Sequence, residues 1–95
     1  MTKKRAAIYR SLQSLPASKT HISKMLEAFS LTGQQDSSTR CPLAQYLSIQ
    51  TGYCVEVNEE DASGVSLSRP ARQFVKAFDR GNFPRLIESS GNATA

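Results

Sequence analysis

Ile8, Leu12 and Leu15 recur at i, i+4 and i+7 in an otherwise polar stretch, with Tyr9 beside them. That spacing is one face of a helix, and it predicts one from about Lys3 to Leu15, stopped by Pro16. A second stripe, Ile22, Met25, Leu26 and Phe29, has the i, i+3, i+4, i+7 spacing. Ser18 or Thr20 is its N-cap and Gly33 its terminator. Together, residues 1–33 read as a helical hairpin or a helix-turn-helix. After a polar, turn-rich stretch over 32–40, Cys41-Pro42 opens a third helix, because proline lacks only an N–H that would go unpaired there anyway. Leu43, Tyr46 and Leu47 form its buried face, and Gly52 ends it.

From Tyr53 the period falls to two. Tyr53, Val55 and Val57 alternate with Cys54 and Glu56 as in a half-buried strand. Asn58 to Gly64 reads as an acidic turn, and Val65-Ser66-Leu67 as the returning strand. Ser68 caps a fourth helix that has Pro70 in its first turn and Ala71, Phe74, Val75 and Phe78 on its inner face. Gly81 closes it, and Asn82-Phe83-Pro84 turns the chain into a short segment where Leu86 and Ile87 dock.

A two-stranded hairpin is not stable alone and must lie on helices. The pattern therefore predicts an α+β fold in the order α-α-α-β-β-α. It forms one compact domain over 1–88, with subregions 1–33 and 41–88, and a disordered tail over 89–95. Phe29, Tyr46, Phe74, Phe78 and Phe83 fall on inner faces and are expected to dominate the core.

Composition narrows the class. Ninety-five residues, 39% apolar and 21% charged, describe a soluble globular domain. No apolar run approaches the roughly 20 residues of a spanning helix, so no membrane contact and a cytoplasmic location are expected. The basic start is interrupted by Arg10 and a Ser- and Gln-rich run, unlike a signal peptide. In that compartment Cys41 and Cys54 are reduced thiols, and two cysteines with one histidine fall short of a structural zinc site. No metal and no cofactor is expected.

Charge is segregated along the chain. Residues 1–24 carry Lys3, Lys4, Arg5, Arg10, Lys19 and Lys24 and no acid. Residues 25–68 carry Arg40 alone against Glu27, Asp36, Glu56, Glu59, Glu60 and Asp61. The remainder is basic again through Arg69, Arg72, Lys76, Arg80 and Arg85, against Asp79 and Glu88. Two basic ends around an acidic middle can attract a polyanion, or one another's complement within the fold.

The fourth helix concentrates this charge. At 3.6 residues per turn, Arg69, Arg72, Lys76 and Arg80 lie within a stripe about 80° wide, nearly opposite the apolar face. Such a row suits a phosphate backbone, although a solvated helix face is also often basic. A partial helix-turn-helix match over Leu12–Phe29 has Pro16 where the turn glycine belongs and Leu12 where a small residue belongs. If it held, Ser18, Lys19, Thr20, His21 and Lys24 would begin the recognition helix. The plainer alternative is an αα-hairpin with a polar outer face, on which His21 is a surface residue.

Cys41 is the one candidate nucleophile, at a helix start beside Arg40. It lacks an evident base, and a capping or core role fits it better. Cys54 reads as buried filler on a strand face. No phosphate-binding glycine loop and no spaced calcium ligands occur.

Cys41-Pro42-Leu43-Ala44, then Tyr46-Leu47, a short hairpin, Phe74-Val75, Phe78-Asp79, Gly81 and Phe83-Pro84-Arg85-Leu86 resemble a layout of short uncharacterised bacterial and phage-type proteins. The resemblance covers 41–88 and implies a prokaryotic accessory protein. It assigns no activity and no functional residue. The expectation is a non-enzymatic binding module: a nucleic-acid-associated regulatory or accessory protein using Arg69, Arg72, Lys76, Arg80, Lys19, Thr20 and Lys24. The alternative is a protein–protein adaptor or inhibitor that docks on an acidic partner through a helix face or the hairpin edge. The sequence leaves oligomeric state open, a dimer included.

Overall fold

The computed structural model describes residues 2–35 and 37–87, so the tail expected over 89–95 lies outside the described residues. Helix α1 spans Lys3–Gln13, α2 Lys19–Ala28, α3 Pro42–Thr51 and α4 Arg69–Asp79, with strands β1 Asp61–Ala62 and β2 Val65–Ser66 between α3 and α4. The fold is α+β, in the expected order. Side-chain caps begin the first two helices. Thr2 Oγ1 accepts from the Arg5 N–H (3.1 Å) and Ser18 Oγ from the His21 N–H (3.2 Å), each cap contributing about 1 kcal/mol. α3 and α4 instead place Pro42 and Pro70 in their first turns.

Ile8, Leu12, Ile22, Leu26, Leu43, Leu47, Phe74 and Phe78 are all buried in one core, joined by Val55, Val57, Leu67 and Leu86. Phe74 stacks on Phe78 and Phe83, with ring centroids 6.0 and 5.2 Å away. The inner face predicted for α4 is the buried one.

Expectations in four regions of the chain are corrected. The helical hairpin over 1–33 is not a packing unit: α1 packs chiefly against α3, and α2 chiefly against α4. Helix-turn-helix geometry needs the first two helices to brace each other, which this pairing does not provide.

The strand expected over Tyr53–Val57 does not form a ladder: only Val57 bridges, to Ala62, while the Val57 N–H turns to Ser38 O (2.8 Å) and Glu56 O accepts from the Ser63 N–H (2.7 Å). The paired strands are β1 and β2, joined by Ser63 (φ 47°) and Gly64 (φ 91°) in register Asp61↔Ser66 and Ala62↔Val65. Positive φ at both turn residues matches the twist of a two-residue hairpin. The expected acidic tip is a separate turn closed by Asn58, whose Oδ1 accepts from the N–H groups of Glu60 and Asp61, both at 2.7 Å. Cys54, with no strand around it, is exposed rather than buried.

Phe29 is the third correction. It caps the C-terminus of α2 and is 54% exposed, its ring tilted against that of Tyr46 at a centroid distance of 5.5 Å.

Gly33, fourth, does not end α2. The chain turns at Ser30, in left-handed conformation (φ 58°), with Ser30 N–H bonded to Glu27 O at 2.9 Å and Leu31 N–H to Leu26 O at 3.1 Å. This is the double hydrogen bond of a Schellman end. Glycine adopts left-handed backbone without the steric penalty of a Cβ. Ser30→Gly should therefore stabilise the protein by about 0.5 kcal/mol, read as a rise in the midpoint of urea unfolding. An unchanged or lowered midpoint would contradict this account of the turn.

Candidate functional site

α4 carries Arg69, Arg72 and Lys76, and Arg80 is its C-cap; all four are exposed. The burial of Ala71, Phe74, Val75, Ala77 and Phe78 turns the basic stripe outward. At 1.5 Å rise per residue the row is about 16 Å long. It ends where Gly81, at φ 87°, lets the Asn82 N–H return to Ala77 O (2.9 Å). The helix end is held from the other side by Gln35, whose Nε2 donates to the carbonyls of Phe78 (3.2 Å) and Asp79 (2.8 Å).

The core packing of α2 on α4 brings a second basic element to this ridge. Lys19, the first residue of α2, lines one surface depression of about 390 Å³ together with Gln73, Lys76, Ala77, Arg80 and Asn82. Lys19, Lys76 and Arg80 are thus brought together, whereas Arg69 and Arg72 continue the ridge beyond the depression.

Thr20 and Lys24 are exposed but do not line it. Lys24 is about 140° around the helix from Lys19. Among the described residues none of these bases is in an ion pair; the pair that forms, Arg85 Nη1 to Glu27 Oε1 at 3.7 Å, lies elsewhere. The described acids of the chain's middle therefore make no ion pair with the ridge.

Gln73 and Asn82, the two amides of the depression, were not among the residues expected from sequence. Gln73 lies one position from the basic stripe, and Asn82 follows the helix-ending glycine. Neither position has a periodic signal that would have marked it.

A different depression, of about 220 Å³, is lined by Ser37, Ser38, Cys41, Val57, Asn58, Glu59, Val75 and Asp79. Burial pushes the Cys41 thiol above its ordinary value, against the opposing pull of the Ala44 and Leu43 backbone amides, and the charge of Asp79 adds to the rise. The downward pull of the helix start on this thiol is outweighed by desolvation. His21 does not line this depression; its Nδ1 lies 2.7 Å from Ser18 Oγ, at the surface.

No helix among the described residues is long and apolar enough to cross a membrane, and no group of three potential metal ligands occurs among them. No family model, no curated protein and no solved structure matches the chain.

Proposed function

We propose that the protein is a small, non-enzymatic bacterial or phage-type accessory module of the cytoplasm that binds nucleic acid through the outer face of α4. Arg69, Arg72, Lys76 and Arg80 track the phosphate backbone, and Lys19 joins them from α2. The observation that carries this reading is the shared depression: two elements far apart in sequence place cations of one sign side by side, without an acid in the lining. Binding proceeds by phosphate neutralisation with release of condensed counterions, which makes affinity strongly salt-dependent. Thr20 and Lys24, on another side of α2, are the weaker members of the proposed interface.

The test is fluorescence anisotropy against random duplex and single-stranded DNA and RNA, titrated with salt. Expected is micromolar binding to duplex whose logarithm falls with the logarithm of salt at a slope near −4, for about four neutralised phosphates. Arg72→Glu with Lys76→Glu should weaken binding about 100-fold. Absence of binding at about 50 mM salt would sink the proposal.

A second reading, an adaptor or inhibitor that docks on a protein partner, is favoured by a different observation. Tyr9 (49%), Ile49 (66%) and Tyr53 (39%) are large apolar residues left exposed on or beside α1 and α3. A pull-down of an acidic protein that is lost in Ile49→Asp would select it.

A further inference from the structure

Three cations in one concave site are more than a passing backbone phosphate needs. A phosphodiester carries one negative charge, whereas a phosphate ester at a chain end carries about −1.5 to −2 at neutral pH. Lys76 and Arg80 have a bland explanation, since cations are favoured at the carboxyl end of a helix. Lys19 does not. It is the first residue of α2, whose first turn holds no acid, so its charge opposes the dipole of its own helix.

The carbonyl end of α4 beside Lys19 is already offset by Lys76 and Arg80. The dipole ends of α2 and α4, each about half a charge and of opposite sign, nearly cancel at the depression. Three full positive charges remain, with the amides of Gln73 and Asn82 as neutral donors and no carboxylate. Three like charges gathered in one depression, with no carboxylate in its lining to offset them, point to function.

We propose that this depression holds one phosphate group, and that in the nucleic-acid complex it is the phosphate at a strand end. The phosphate group rests on the depression alone; its assignment to a strand end rests on the nucleic-acid reading above. Arg69 and Arg72 are exposed on α4 outside the depression, open to a continuous backbone. The depression at its far end suits a chain that terminates there, with Lys19 and Arg80 approaching the dianion from two helices.

The experiment compares a short oligothymidylate phosphorylated at the 5′ end, at the 3′ end or at neither, by anisotropy, with inorganic phosphate followed separately on backbone amide spectra. One phosphorylated form should bind about tenfold more tightly than the unphosphorylated one. Lys19→Gln and Arg80→Gln should each abolish that preference, while Arg69→Gln, outside the depression, weakens all forms equally. Inorganic phosphate should shift the amides of residues 19 and 76–82.

If no oligonucleotide binds but phosphate shifts those amides, the nucleic-acid reading fails and the phosphate site stands, with free phosphate or a small phosphate ester as its source. Equal affinity for all three oligonucleotides overturns the strand-end assignment. A phosphate-induced shift pattern that misses residues 19 and 76–82, or a preference that survives Lys19→Gln, overturns the site.

Discussion

Phe74→Ala should cost about 4 kcal/mol of stability. The side chain is wholly buried on α4 and stacked between Phe78 and Phe83. Truncation removes its transfer energy, leaves a cavity and breaks two aromatic contacts, each contributing about 0.5–1.5 kcal/mol. A domain of this size is stable by about 5–10 kcal/mol in all, so the variant should unfold at markedly lower denaturant, with its thermal midpoint down by some 15–30 °C. Phe74→Leu, which keeps most of the volume, should lose only about 1–1.5 kcal/mol. If Phe74→Ala melts within a few degrees of the parent, the packing of α4 described above is wrong.

Gly33→Ala should be nearly as damaging, although it adds only a methyl group. The residue is pinched between two pieces of chain. Its N–H donates to Leu86 O at 2.8 Å, it bridges in parallel to Ile87, and the next amide, Gln34 N–H, donates to Arg40 O at 2.9 Å. A Cβ at Gly33 would lie 1.8 Å from Arg40 O and 2.8 Å from Pro42 Cδ. Both neighbours are fixed, one by being backbone and the other by being a buried ring at the start of α3. Relief requires the backbone to move, at about 1–3 kcal/mol for overpacking plus about 1 kcal/mol for each hydrogen bond lost. The expected total is about 2–4 kcal/mol, with faster hydrogen exchange at the Gly33 and Gln34 amides. A change under 0.5 kcal/mol in chemical denaturation would overturn this account of the glycine.

Gly33 also shows where the sequence was legible and where it was not. Position and residue type suggest a helix terminator, the local meaning of glycine after an apolar stripe. The true reason is tertiary: two segments, one of them more than fifty positions away, close on the same backbone. The same division runs through the fold. Helices governed by an apolar stripe and a cap, such as α4 between Ser68 and Gly81, were readable within a residue or two.

The strand at Tyr53–Val57 was misplaced because alternation reports which side chains are buried, and Val55 and Val57 are, but not whether the backbone finds a ladder partner. The one signal pointing to the true hairpin was the Ser63-Gly64 pair between Ala62 and Val65. For the candidate site, the ridge was visible as a period of charge. The approach of Lys19 to Lys76 and Arg80 was not, because it follows from α2 packing on α4 rather than on its neighbour α1.

The crossed pairing of helices, α1 on α3 and α2 on α4, has a consequence for how the chain acquires order. A division in the 34–40 connection would separate both helix pairs at once, so neither half holds a finished interior to nucleate on. Loop closure across the middle of the molecule must precede most of the burial, which slows folding relative to a bundle of sequence neighbours. The same interlacing gives unfolding little room for a stable halfway form: when one pair opens, the other loses its support, and the domain should be lost as a unit.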